Sequence, residues 1–376
     1  MKKKILTLFG TRPEAIKFAP LIKELSVNDN FTVCVCITSQ HKEMLRQVLD
    51  FFEIQVDYDL DVMRPNQDLA SLTASIVSKL APVLKACQPD MVIVQGDTTT
   101  AFVGALSAYY EKIPVAHLEA GLRSHQMYSP FPEEVNRKLV ASMSSLHFAP
   151  TLQAAKNLQQ ESITENIYIT GNTVVDALLI GLKILEEANV ETILHFPFLD
   201  LSKRMILVTG HRRESFGEGF INICEALKTL ALSYPDLQIV YPVHLNPNVK
   251  DPVYQLIGNI KNIHLIAPVP YEQMILLIKS CYLVLTDSGG VQEEAPSLGK
   301  PVVVMREVTE RIEGVAAGTA LLAGTKAERI IQYVSQLLDD EAKYQKMARS
   351  LNPYGDGSSS KQIVKIINNY FEDIPS

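Results

Sequence analysis

The absences in this sequence narrow its function before any motif is read. Lysine and arginine number 35 against 42 aspartates and glutamates, the formal charge is −7, and no long basic run occurs. A nucleic-acid partner held by neutralising many phosphates is thereby excluded, whereas one phosphate ligand needs only local positive charge. No apolar window approaches the roughly 20 residues of a membrane span, so no membrane partner is expected. The opening MKKKILTLFGTRPEA is basic, but its apolar stretch ends at Gly10 and is too short for a signal-peptide core. Cysteine is scarce: Cys34, Cys36, Cys87, Cys224 and Cys281, most of them inside apolar segments. They read as reduced core residues of a cytoplasmic protein rather than as disulfides or metal ligands. No cluster has zinc spacing and no Ser–His–Asp set stands out, so neither metal nor cofactor is expected.

What is present fits a globular chain, with 47% hydrophobic and 20% charged residues. At 376 residues it exceeds one typical core, which favours two domains. Short apolar runs alternate with longer helical patterns such as Pro13–Leu25, Asp68–Cys87 and Thr98–Tyr110. The expected strands are Ile5–Phe9, Thr32–Ile37, Met91–Val94, Val115–Leu118, His147–Ala149 and Ile167–Ile169. After a break come Met205–Val208, Gln238–Tyr241, Ile263–Ile266, Leu283–Leu285 and Val302–Met305. Such alternation predicts an α/β protein of parallel sheets covered by helices. The interval 171–204, a helix followed by a connection containing Pro197, breaks the rhythm and argues for two Rossmann-like domains over a single (β/α)₈ barrel. A last amphipathic helix is expected at about Ser359–Phe371.

In open α/β sheets ligands bind at the carboxyl ends of strands, so the residues after each run are the informative ones. Leu283–Leu285 is followed by Thr286-Asp287-Ser288-Gly289-Gly290 and a helix-compatible segment bearing Glu293-Glu294. Glycines at a helix start let a phosphate approach unpaired N–H groups, and an acid one turn on can accept from ribose hydroxyls. An ordinary βα turn with surface acids is the alternative. After the first strand, Gly10–Lys17 is neither GxGxxG nor GxxxxGK[ST]. Its Arg12 and Lys17 are either solvated surface or a clamp on a sugar diphosphate.

Asp97, in Gln95-Gly96-Asp97-Thr98-Thr99, and Glu119, in His117-Leu118-Glu119-Ala120-Gly121, close neighbouring strands. Two carboxylates facing one pocket push their pKa values apart, which suits one acid and one base. Asp97 has the alternative task of capping the following helix; Glu119 has no evident structural task. Glu133 and Glu134 open another helix, where charge–dipole stabilisation would also explain them. His211 and His244 occupy strand ends of the second set, while His117 reads as a packed residue.

In order, the motifs FGTRPEAIK, QGDTTT, HLEAGLRS, PFPEEVNR, TGNTVVDAL, VTGHRRES, YPVHLNPNV, TDSGGVQEEAPSLGKPV and NPYGDG closely resemble the non-hydrolysing UDP-N-acetylglucosamine 2-epimerases, from about residue 4 to about 360. The resemblance implies the GT-B architecture: two Rossmann-like parallel-sheet domains with an interdomain active-site cleft, 1–170 and 171–356, and a final helix at 357–376 returning to the first domain. It further implies a cytoplasmic homodimer that interconverts UDP-GlcNAc and UDP-ManNAc by eliminating UDP to 2-acetamidoglucal and re-adding it, supplying ManNAc units for cell-surface polysaccharide.

By matching position, Asp97, Glu119, Glu133 and His211 become catalytic candidates. Arg12, Lys17 and His211 fall on the diphosphate side, with Ser288, Gly289 and Gly290 as the cradle. Glu294 falls on the ribose, Arg311 on phosphates or sugar, and Val269 and Met274 near the uracil. An activating second UDP-GlcNAc is implied near Gln40, Glu133, Arg212 and His244, although Glu43 and Asn66 depart from that pattern. The hydrolysing relatives tend to carry Gly-Asp-Arg and His-x-x-Gly-Gly-Glu, where this chain has Gly96-Asp97-Thr98 and HLEAGLRS. A GT-B glycosyltransferase or a nucleotide-sugar sensor would leave Asp97 and Glu119 with less to do.

Overall fold

The structure, a computed structural model, describes residues 2–39, 42–64, 67–191, 195–212 and 215–373. The chain divides into two compact units, Met1–Ile180 with Tyr354–Ser376, and Gly181–Pro353. The strands of the first unit are β1 (Lys3–Phe9), β2 (Phe31–Ile37), β3 (Tyr58–Asp59), β4 (Met91–Gln95), β5 (Val115–Leu118), β6 (Leu146–Ala149) and β7 (Ile167–Ile169). They form a parallel sheet in the order β3-β2-β1-β4-β5-β6-β7. Between them run α1 (Arg12–Ser26), α2 (Lys42–Phe51), α3 (Leu69–Cys87), α4 (Thr99–Tyr110), α5 (Glu133–Met143) and α6 (Leu152–Gln160). The division at Ile180 falls inside α7 (Thr173–Glu187).

The second unit repeats the plan with β8 (Met205–Thr209), β9 (Gln238–Pro242), β10 (Ile263–Ile266), β11 (Leu283–Thr286), β12 (Val302–Val304) and β13 (Ala320–Leu322), ordered β10-β9-β8-β11-β12-β13 and parallel throughout. Its helices are α8 (Glu218–Ser233), α9 (Pro247–Ile257), α10 (Tyr271–Ser280), α11 (Gly289–Glu294), α12 (Ile312–Ala317), α13 (Ala327–Asp339) and α14 (Glu341–Ala348). The chain then re-enters the first unit, where α15 (Ser359–Asp373) packs on α1. Two separate open sheets exclude the barrel and give the pair of Rossmann-like domains.

Strands covered on both faces are apolar without alternation, as β1 and β4 are: Ile5, Leu6, Leu8, Phe9 and Met91 to Val94 are fully buried. Cys34 and Cys36, two apart on β2, share one core cluster with Leu6, Leu8, Val92, Val94 and Cys87, and all five cysteines are buried and free. Two expectations need correction. The edge strands β3 and β13 escaped notice because two or three residues carry no readable period. Nor is it true that no segment approaches a membrane span: α3, with 19 residues and a mean hydropathy of 1.3, is long and apolar enough by length and composition. Its face Ile76, Leu80, Val83, Leu84 and Cys87 packs into the core of the first unit.

In each sheet the strand order reverses beside the first strand, between β1 and β4 and between β8 and β11. Such switch points splay neighbouring connections apart and open a crevice at the carboxyl ends of the strands.

Candidate active site

At the first switch point, Thr11 caps α1 and Glu14 closes a capping box with it. Glu14 is 2% exposed, and its Oε2 accepts from the N–H groups of Gly10 at 3.0 Å and Thr11 at 2.8 Å. Its Oε1 accepts from Thr98 Oγ1 at 2.6 Å. Thr98 is itself the cap of α4, through Ala101 N. The Glu14 carboxylate therefore joins the N-termini of two helices, and burial holds its pKa above the ordinary value despite these bonds. The cap of α4 is Thr98, not Asp97, which removes the structural alternative for Asp97. Arg12 is the first residue of α1.

Asp97 is positioned from α5. Asn136 Nδ2 donates to its backbone carbonyl at 2.9 Å, and Arg137 Nη2 to its Oδ2 at 2.5 Å. Protein atoms enclose the carboxyl although 26% of its side-chain surface stays exposed. Burial raises its pKa by more than Arg137 lowers it, and the Glu119 charge adds to the rise. Glu133, one helical turn before Arg137, has a buried Oε2 with no hydrogen-bond partner among the described residues. Glu134 behaves differently: fully buried, it accepts from the N–H groups of Ser124 at 2.9 Å and His125 at 3.1 Å and lies 3.4 Å from Arg137. It fastens the loop that follows β5, a role more specific than dipole stabilisation.

Glu119 sits just past β5 with φ 60, in the left-handed region that a side chain rarely occupies and that functional sites tolerate. Its Oε2 accepts from Lys17 Nζ at 2.6 Å and from Gln95 Nε2, and its Oε1 from Asn172 Nδ2 at 3.2 Å. Lys17 is thus placed on a carboxylate. Beneath them His117 is fully buried, its Nε2 2.8 Å from Gly96 O, and burial lowers its pKa to about 3. It is a packed, neutral residue, as its place within the run suggested.

The second switch point carries different chemistry. Asp287, buried at the end of β11, accepts through Oδ2 from the backbone N–H groups of His211 at 2.7 Å and Arg212 at 2.8 Å. Its Oδ1 lies 3.4 Å from His211 Nδ1. His211 stacks on His244 with centroids 5.5 Å apart. Ser288 precedes the six-residue α11 without a side-chain cap bond, and its own N–H donates to Thr286 Oγ1 at 2.9 Å. At Gly289 a Cβ would come within 2.9 Å of the Arg311 guanidinium, so a larger residue would have to displace that side chain. Arg311 is held there by Glu293, at 2.9 Å. Glu294 is 5% exposed and accepts from Tyr271 OH at 2.8 Å. Val269 is buried and Met274 half-buried in the apolar cluster of this unit, and Gln40 lies outside the described residues.

Within each unit the expected residues therefore converge: Lys17, Asp97 and Glu119 in the first, His211, Ser288, Gly289 and Arg311 in the second. Gln95, Asn136, Arg137, Asn172, Asp287 and Tyr271 had been given no role. Most lay inside the quoted motifs, and the i, i+4 spacing of Glu133 and Arg137 already placed them on one helix face.

A family model described as UDP-N-acetylglucosamine 2-epimerase matches residues 23–368. The UDP-N-acetylglucosamine 2-epimerase of Yersinia pestis is 52% identical over 371 residues, covering 98% of this chain and 99% of its own. That of Escherichia coli K12 is 51% identical, over 97% and 98%. The crystal structure of the Neisseria meningitidis enzyme bound to UDP-GlcNAc superposes with a TM-score of 0.93 at 50% identity, covering 97% of this chain and all of that one. The Methanocaldococcus jannaschii enzyme in complex with UDP-GlcNAc and UDP gives 0.83 at 35% identity, over 97% and 99%. Motifs, paired sheets and full-length similarity agree: this chain belongs to the UDP-N-acetylglucosamine 2-epimerase family, and hence among the isomerases.

Proposed function

We propose that the protein reversibly interconverts UDP-GlcNAc and UDP-ManNAc by anti elimination of UDP to 2-acetamidoglucal, followed by re-addition of UDP after protonation on the opposite face. The proton at C2 has no adjacent carbonyl to acidify it, so elimination is the redox-neutral route and calls for no cofactor. Such a route needs a base, an acid and stabilisation of the departing diphosphate. The observation that supports it most is the unequal setting of two carboxylates on neighbouring strand ends. Asp97 is raised by burial, which suits a proton carrier, while Glu119 is surrounded by donors, the setting of a proton acceptor. We assign Glu119 as base and Asp97 as acid in the UDP-GlcNAc direction, with Glu133 the further acid/base candidate.

In the second unit, His211, its backbone N–H held by Asp287, and the Ser288–Gly290 turn would bind the diphosphate. Arg311 would add charge, Glu294 would hold the ribose, and Val269 and Met274 would lie by the uracil. Arg12, at the start of α1, is a further candidate for the diphosphate. The stacking of His244 on His211 supports a second, activating UDP-GlcNAc near Arg212 and His244. Pure UDP-ManNAc should then convert slowly until traces of UDP-GlcNAc are added, and immediate full-rate conversion would remove the activator. The reading includes a cytoplasmic homodimer that supplies ManNAc units for cell-surface polysaccharide.

Proton NMR of UDP-GlcNAc with the protein in D₂O tests the reaction. The expected result is deuterium at C2 together with UDP-ManNAc. Free ManNAc with UDP would indicate hydrolysis, and an unexchanged C2 would overturn the proposal.

A further inference from the structure

We propose that Asn172 is a positioning residue for Glu119, linking that carboxylate to the point where the chain re-enters the first unit. The inference rests on the acid/base reading of Glu119. Asn172 follows β7, is 3% exposed, and uses all of its polar groups. Its Nδ2 donates to Glu119 Oε1 at 3.2 Å. Its Oδ1 accepts from Val174 N at 3.2 Å, and its carbonyl from Val175 N at 3.1 Å, so it also caps the start of α7. Its backbone N–H donates to the Tyr354 carbonyl at 2.6 Å.

Tyr354 is the first residue of the returning segment. The two chain passages are pressed together at this point. Gly171 has φ 79, and a Cβ there would meet Ser359 Oγ at 2.8 Å and Tyr354 O at 2.9 Å. A single amide therefore holds Glu119 with one end, the first turn of α7 with the other, and the returning backbone through its own N–H. A shift of the returning segment is felt at Glu119 through one residue.

Capping and positioning can be separated, because they use different atoms of the amide. Asn172→Asp keeps an oxygen to cap α7 but turns an acceptor toward Glu119 in place of a donor. The charged and titratable groups around Glu119 include Lys17 from α1, Asp97 from the end of β4, and His117 on β5, which burial keeps neutral. An added carboxylate there disfavours the charge on Glu119 and moves its titration to higher pH. Asn172→Ser also caps, adds no charge, and is too short to reach Glu119.

The experiment measures kcat, KM, UDP affinity, Tm and the pH profile of kcat/KM for the full-length wild type and both variants, with C2 deuterium exchange as a parallel readout. For Asn172→Asp we expect kcat to fall about 10- to 100-fold, the worth of a charge-assisted hydrogen bond, with KM, UDP affinity and Tm near wild type. The acidic limb of its profile should move to higher pH. Asn172→Ser should lose kcat without that displacement, and it decides the matter if the aspartate variant does not fold. Wild-type kcat in the folded variants overturns the inference. So does a kcat loss matched by equal losses of UDP affinity and Tm, which would mark a purely structural role. A wild type that exchanges no C2 proton would instead remove the acid/base reading, and this inference with it.

Discussion

The two units share a strand order up to the sixth strand and place polar residues at the equivalent switch point, yet the partners of those residues differ. In the first, side chains hold the strand-end carboxylates: Arg137 on Asp97, and Lys17, Gln95 and Asn172 on Glu119. In the second, backbone and side chains share the task. Asp287 accepts backbone N–H groups, Glu293 holds Arg311, and Glu294 meets Tyr271. One backbone plan thus carries strand-end acids with different partners in its two copies. Fold supplies the location, and side-chain partners supply the chemistry.

That contrast can be broken most sharply at its acidic end. Asp97→Asn and Glu119→Gln should each lower kcat by about 10²- to 10⁴-fold, the range of a general acid or base, while isothermal titration finds UDP affinity near wild type. A parallel loss of affinity would dissolve the division of labour. At the other end, Asp287→Asn removes the charge that holds two amides and His211. UDP affinity should fall about 10-fold, from the weakening of charged hydrogen bonds in the buried site, and KM should rise more than kcat falls.

A third test concerns pH. Burial lowers His117 to about 3 and His147 to about 4, from an ordinary 6.5, and the two pair across β5 and β6. The unfolded chain takes up these protons below 6.5 while the native one refuses them. The contribution to stability is therefore present above 6.5 and lost as pH falls toward 4 and 3. Glu14, Asp97 and Asp176, all raised by burial, tilt the curve the other way, favouring the fold at low pH and losing that contribution as pH rises through their native values. The informative quantity is accordingly a difference: between pH 6.5 and 4 the Tm of His117→Gln should fall less steeply than that of the wild type. The smallest effect is expected from Tyr271→Phe, which deletes one hydrogen bond to Glu294 and should weaken UDP binding a few-fold, about 1 kcal/mol.

The sheets were legible because fully buried parallel strands write themselves as apolar runs. Val115–Leu118, Ile167–Ile169 and Ile263–Ile266 match residue for residue. The strand-end motifs were legible for the same topological reason. What stayed hidden was partnership. Nothing local says that Lys17 meets Glu119, because the two are brought together by the pairing of β1 with β4 and β4 with β5. Asn172 meets Glu119 across the sheet in the same way. The Thr11–Glu14 capping box, by contrast, was written in four consecutive residues and could have been read in advance.

Glu14 leaves a practical constraint on anyone redesigning this protein. Because one carboxylate fastens both the turn bearing Arg12 and the turn bearing Asp97, neither loop can be rebuilt as an independent cassette. Changing either means choosing a replacement that still fits the shared anchor, or replacing both turns at once.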